Sequence, residues 1–217
     1  MDTFPRICFR AILQHALPLI STHGFTRKTL SLAVMQLPNP HSQPLSETAI
    51  TALFGNGDDA RRTLINGWLK GGLEDMQHGK TTGGTMQHIL KRRLRWNEPV
   101  LEHLPEAFAL LVAPQQTLPR LDIRPAISHA ASVADEACYL TSDIPEGTSW
   151  YVRRAVIASI YTAAELHQIT SPQTSEAFLD ELLEKSESVR RVVAESSLFA
   201  EYVGKSWGSL IKSRGIF

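Results

Sequence analysis

The sequence predicts an all-α fold, a bundle of about nine or ten helices. Apolar residues recur three and four positions apart almost throughout. No stretch alternates apolar and polar residues as a half-buried strand does. Glycines and prolines fall between the periodic runs, where helices end and begin.

Phe9, Leu13, Ala16, Leu17 and Ile20 make a first amphipathic helix, which His23-Gly24 stops. Thr26 can cap a second helix through Thr29, Leu30, Ala33, Val34 and Leu37, and Pro38-Asn39-Pro40 ends it. Residues 46–54 form a third, closed by Gly55-Asn56-Gly57, and residues 60–76 a fourth. The polar, glycine-rich stretch 77–85 reads as a loop, after which residues 86–96 resume as a helix with a basic face. Pro99 and Pro105 each suit a first helical turn. Residues 114–125, with three prolines, read as a loop, and residues 126–140 as a helix. Residues 143–148 make a turn, with Thr148 or Ser149 capping a helix that carries Val156, Ile157, Ile160, Tyr161 and Ala164 on one face. Ser171-Pro172 restarts the chain into a helix through Phe178, Leu182 and Val189. The organisation is a helix-turn-helix-like part over 1–57, a helical core over 58–189 and a C-terminal amphipathic helix over 190–217.

Composition narrows the function. The 217 residues are 43% hydrophobic and 20% charged, enough for a sizeable core, and the net charge is zero. A dedicated nucleic-acid binder usually carries a basic surplus, because phosphate neutralisation supplies much of its affinity. The third helix, the one that would enter a DNA groove, contains no Lys or Arg and has Glu47 near its start. Cys8 and Cys138 form no CxxC pair, so they read as small apolar residues rather than zinc ligands. No run of about 18 uncharged apolar residues suggests a membrane span, and the first six residues do not read as a signal peptide. A targeting segment lost from a longer precursor would leave no trace here.

Catalytic and metal-binding patterns are weak. Gly204-Lys205-Ser206-Trp207-Gly208 fits GxSxG but lies within a helical pattern with no strand before it. Gly79-Lys80-Thr81 lacks the first glycine of a phosphate loop, since Glu74 stands there. The eight histidines include neither Glu-x-x-His nor His-x-x-x-His, and most read as surface or capping residues. The expectation is no catalytic residue, no metal and no cofactor.

Two segments stand out. From 190 to 212, Val192, Phe199, Val203, Trp207 and Leu210 share a face, flanked by a stripe of Ala200, Gly204 and Gly208. This helix docks on the core, pairs with a second chain, or lies in a membrane interface with Phe199, Tyr202, Val203, Trp207, Leu210 and Ile211 in the headgroup region. Trp150 and Tyr151 stand beside Arg153 and Arg154 at a helix start, the residue types enriched at protein interfaces. The alternative there is a tryptophan that staples the helix start beside solvated arginines.

The stretch 149–161, SWYVRRAVIASIY, resembles the signature block of the lipid-binding accessory proteins of coenzyme Q biosynthesis, the ninth in the conventional Coq numbering. Residues 94–114, an Arg-Leu block running into an apolar helix that ends in Pro, are similar to that family too. Phe54-Gly55 and the Phe178-Leu179 helix after Ser171-Pro172 fall in the matching order. The resemblance covers most of residues 6–217. This chain has Ser149 where the family has Asn, and Gly147 where it has Asp.

The resemblance implies a fold similar to the TetR repressors without DNA binding. It implies a non-enzymatic protein on the matrix side of the mitochondrial inner membrane, where the last helix engages the membrane surface. An isoprenoid lipid or phospholipid would sit in an apolar cavity, for which Trp68, Phe108, Leu111, Ile157, Ile160 and Tyr161 are the candidate lining. The partner would be a di-iron hydroxylase of the Coq-seven type, met by Trp150, Tyr151 and Arg154, with a homodimer left open. The rival reading is a TetR-like ligand-responsive transcriptional regulator, which the uncharged third helix opposes.

Overall fold

The computed structural model describes residues 3–78, 84–113, 122–143 and 149–188, with side chains from Phe9 onward. Among these residues there is no strand; the chain is all-α.

The local rules that start and stop helices operate as the sequence suggests. Helix α1 (Thr3–Ala16) passes through a 3-10 turn at Leu17–Leu19 into the short α2 (Ile20–His23). Gly24 ends it at φ +66°, a conformation that side chains with a Cβ rarely adopt. The Thr26 hydroxyl accepts the Thr29 N–H and starts α3 (Arg27–Ala33). Ser46 caps α4 (Glu47–Phe54) in the same way, through the Ala49 N–H. Helix α5 (Asp58–His78) opens with two aspartates facing the positive end of its dipole. The Thr85 hydroxyl caps α6 (Met86–Asn97).

Pro99 lies in a 3-10 turn at Glu98–His103, and Pro105 in the first turn of α7 (Leu104–Val112). Helix α8 (Arg124–Leu140) begins two residues before the sequence expectation, because Pro125 serves its first turn instead of closing a loop. Helix α9 (Ser149–Thr170) has Ser149, one of the two expected caps, as its first helical residue, and the other, Thr148, lies outside the described residues. A 3-10 turn at Pro172–Thr174 leads into α10, residues 175–188. The expected loops at 77–85 and 114–125 fall partly outside the described residues, and the expected helix at 190–217 lies outside them.

The buried apolar residues form two clusters. The first joins α1 to α5 and α7 through Ile12, Ile20, Leu30, Ile50, Leu64 and Leu111. The second joins the end of α5 to α6, α8, α9 and α10 through Met76, Leu90, Leu94, Val133, Ile157 and Leu179. Arg27 fastens α4 to α3: its Nε donates to Glu47 Oε2 at 2.8 Å and its Nη2 to Thr51 Oγ1 at 2.8 Å. Helix α10 runs antiparallel to α9. His167 stacks on Phe178 at one end, with centroids 4.5 Å apart, and Arg153 Nη1 lies 2.6 Å from Glu187 Oε1 at the other. Helix α10 is tied to α6 by Lys91–Asp180 at 2.6 Å and Arg95–Glu176 at 2.7 Å.

Candidate functional site

Two features stand apart from ordinary packing: a polar network inside the bundle and a groove on its surface. The network lies where the two apolar clusters meet. Its hub is Glu165 of α9, 5% exposed. Glu165 Oε1 accepts hydrogen bonds from Asn97 Nδ2 at 2.9 Å and from the Tyr161 hydroxyl at 2.6 Å. His129 Nε2, on α8, lies 3.3 Å from Glu165 Oε2. Arg93 of α6 is fully buried and donates from Nη1 to Asn97 Oδ1 at 2.8 Å. Trp68 of α5 adds a long 3.5 Å bond from Nε1 to the same Asn97 oxygen. Gln168 donates to the Leu94 carbonyl at 2.9 Å.

Burial alone would push the Glu165 pKa up, since it penalises the charged carboxylate. The hydrogen bond and charge of His129, the Arg93 charge and the Tyr161 hydroxyl outweigh it and bring the pKa to about 2. Burial raises the Tyr161 phenol well above its usual value, so it stays a hydrogen-bond donor. The Nε and Nη2 atoms of Arg93 are buried without a hydrogen-bond partner among the described residues, and its guanidinium lies over the Tyr161 ring, 5.9 Å from the centroid.

Close approach makes room for this buried guanidinium. A Cβ on Gly72 would lie 2.8 Å from Arg93 Cζ and 2.9 Å from Trp96 Cδ1. Gly72→Ala is therefore expected to lower stability by about 1–2 kcal/mol: overpacking costs about 1–3 kcal/mol and the helix-propensity gain returns up to about 1. Urea unfolding checks this, and an unchanged or raised midpoint would mean that Arg93 relaxes freely.

Of these residues only Tyr161 and Trp68 were site candidates in the sequence; Arg93, expected on the basic face of α6 with Lys91, Arg92 and Arg95, is instead fully buried. His129 is an exception to the expectation that most histidines are surface or capping residues, since it is 8% exposed and sits in the interior. The available signal was the spacing of Tyr161 and Glu165, one turn apart at the edge of an otherwise apolar face.

The groove runs along the outer surface between α8 and α9, with a volume of about 900 Å³. Alanines dominate its lining: Ala130 and Ala131 from α8, and Ala155, Ala158 and Ala163 from α9. Ile127 and Leu166, each more than half exposed, stand at its rim. Its other end is aromatic and charged. The Arg154 guanidinium lies 3.6 Å from the Trp150 ring centroid, and Arg154 Nε binds Asp135 Oδ1 at 2.6 Å. Trp150 meets Tyr151 edge to face at 4.6 Å, and Tyr151 is 71% exposed. Arg154 Nη1 is buried without a hydrogen-bond partner among the described residues.

The structure thus brings Trp150, Tyr151 and Arg154 together at one groove end. It divides the six candidate lining residues: Trp68, Phe108 and Leu111 belong to the first apolar cluster, and Ile157, Ile160 and Tyr161 to the second. Phe108 is half-buried at the edge of its cluster, while the other five are buried. The six membrane candidates from Phe199 to Ile211, and Ser206, lie outside the described residues. Among the described residues no three His, Cys, Asp or Glu side chains are grouped to hold a metal. No described helix is long and apolar enough to cross a membrane. The exposed face of α4 carries Glu47, Thr48, Thr51 and Ala52, and the nearby Arg27 is engaged by Glu47 and Thr51.

Comparison with known proteins gives this arrangement a context. Residues 123–190, which include α8, α9 and α10 and hence the groove, match the COQ9 family model. The chain is 28% identical over 169 residues to the mitochondrial ubiquinone biosynthesis protein COQ9 of Bos taurus, covering 71% of this chain and 48% of that protein. It is 29% identical over 184 residues to the Rattus norvegicus protein of the same name, covering 78% and 55%. With the Drosophila melanogaster protein the identity is 26% over 220 residues, covering 94% and 63%. The chain spans about half the length of the first two of these relatives. The family-model match and the several relatives at 26–29% identity are consistent with a divergent member of the COQ9 family.

Proposed function

We propose that this chain is a non-enzymatic lipid-handling protein of mitochondrial ubiquinone biosynthesis. It binds an isoprenoid lipid or phospholipid, associates with the matrix face of the inner membrane, and presents coenzyme Q precursors to a partner di-iron hydroxylase. The observation that carries this reading is the α8–α9 groove, which lies within the stretch matching the family. A long apolar floor ending in Trp150, Tyr151 and Arg154 suits an amphiphile or the partner that receives it. Each buried methylene of a prenyl or acyl chain contributes about 0.8 kcal/mol, so such a chain binds with little polar readout. The names of the relatives support the pathway and the compartment.

Purification of the chain followed by lipid extraction and mass spectrometry tests the reading. An isoprenoid or phospholipid is expected at a substantial fraction of one per chain, together with co-flotation on anionic vesicles. A lipid-free protein that ignores vesicles would exclude it.

A further inference from the structure

Arg93 brings more donors into the interior than its neighbours accept. Its Nη1 meets Asn97, while Nε and Nη2 are buried without a hydrogen-bond partner among the described residues. Its charge is already balanced, because the buried Glu165 carboxylate belongs to the same network. The two remaining N–H groups are therefore suited to a neutral oxygen acceptor rather than to an anion.

A pocket of about 330 Å³ lies close by, lined by Leu17, Pro18, Trp68, Trp96, Pro99 and Val100. Its size lies at the lower end of the range that small-molecule sites occupy. The two indoles, with centroids 4.8 Å apart, give it an aromatic wall. Trp96 borders both the pocket and Arg93. A Cβ on Gly71 would lie 3.0 Å from Trp96 Cζ2; one on Gly72 would lie 2.9 Å from Trp96 Cδ1 and 2.8 Å from Arg93 Cζ and Nε. The indole and the guanidinium thus meet over bare backbone. Two adjacent glycines inside a helix cost about 1 kcal/mol each in propensity. In α5 they leave the half-buried Trp96 ring without a side chain beneath it, held by a 3.2 Å bond from Nε1 to the Trp68 carbonyl.

We propose that this pocket is a further binding site, for a neutral oxygen-substituted aromatic ring, a phenol or a quinone. The ring stacks on Trp68 and turns Trp96 aside, and one of its oxygens accepts from Arg93 Nε and Nη2. The proposal rests on the lipid-handling role only for the source of such a ring, the head group of a coenzyme Q precursor. The site is separate from the α8–α9 groove, since no residue lines both.

The test uses the full chain, with a dimethoxy-methylbenzoquinone bearing one isoprene unit as probe and prenylbenzene as the ring without oxygen. With Trp150→Phe and Trp207→Phe the remaining indoles are Trp68 and Trp96, and the quinone is expected to quench them saturably. Its Kd should be at least tenfold lower than that of prenylbenzene. In nitrogen-15 NMR the Arg93 Nε–H signal should move downfield with the quinone and stay in place with prenylbenzene. Ser21→Phe, at an exposed rim position, should fill the pocket and weaken quinone binding at least tenfold with Tm unchanged. Quinone binding that Ser21→Phe leaves unchanged overturns the site, as does an Arg93 signal that the quinone does not move. Equal affinity for the two rings overturns the oxygen contact, and tighter binding of 4-hydroxybenzoate overturns the neutral ligand. A chain that carries isoprenoid lipid while its Arg93 signal stays silent loses this site and keeps the carrier role. A lipid-free chain whose Arg93 signal responds keeps the site and loses the carrier role.

Discussion

Glu165→Ala is expected to lower the unfolding free energy by about 3–5 kcal/mol, the largest effect of any single change considered for this chain. The substitution leaves the Arg93 charge buried without its counter-charge. It also removes the acceptor shared by Asn97 and Tyr161 and the partner of His129. In a domain of this size that corresponds to a fall in Tm of about 10 °C. Glu165→Gln keeps the volume and removes the charge, which separates packing from electrostatics. The folded-state pKa of Glu165 is depressed from 4.5 to about 2. Its contribution is therefore fully present above about pH 4.5 and lost as the pH falls toward 2, about 3 kcal/mol in all. Chemical unfolding at pH 7, 4.5, 3.5 and 2.5 should show the gap between the original protein and Glu165→Gln closing through that window. A gap that stays constant with pH would show that the carboxylate is not charged in the folded state.

Loss of the aromatic groove end is expected to disable partner capture while sparing the fold. Tyr151→Ala and Trp150→Ala should each weaken binding to the proposed partner, the di-iron hydroxylase, at least tenfold, about 1.4 kcal/mol or more, as exposed aromatic anchors do at interface centres. Tyr151 is 71% exposed, so its removal should change stability by no more than about 0.5 kcal/mol. Trp150 supports the Arg154 guanidinium, so its loss also frees Arg154 to leave Asp135. Calorimetric titration against the purified hydroxylase reads the affinity, and melting curves read the fold. Unchanged affinity in both variants would move the partner contact elsewhere on the surface.

The parts of the fold legible in the sequence are those with local causes. Thr26 and Ser46 cap helices because a hydroxyl meets an N–H three residues on, and Gly24 and Gly55 stop helices through positive φ, at +66° and +100°. Such features need only neighbouring residues. The aromatic pair Trp150–Tyr151 was legible as a candidate for the same reason. The network around Glu165 was not. Its members come from four helices and meet only after α5, α6, α8 and α9 pack, so no spacing rule links His129 or Arg93 to Glu165. The candidate lining failed to form one group for a related reason. Periodicity shows which residues face inward, but Trp68 and Ile157 face two different clusters. Pro125 shows the opposite limit, since proline both breaks and opens helices and the sequence alone left its role ambiguous.

The meeting of two greasy cores across a polar boundary bears on how the molecule comes apart. Apolar side chains tolerate sliding past one another, whereas hydrogen bonds from Asn97, Tyr161 and Arg93 are satisfied in one register only. The boundary therefore locks the two halves to a single mutual alignment and makes them melt as one cooperative unit. Weakening it would let the amides of α8 and α9 exchange with solvent hydrogen ahead of those in α1 and α3, turning one transition into two.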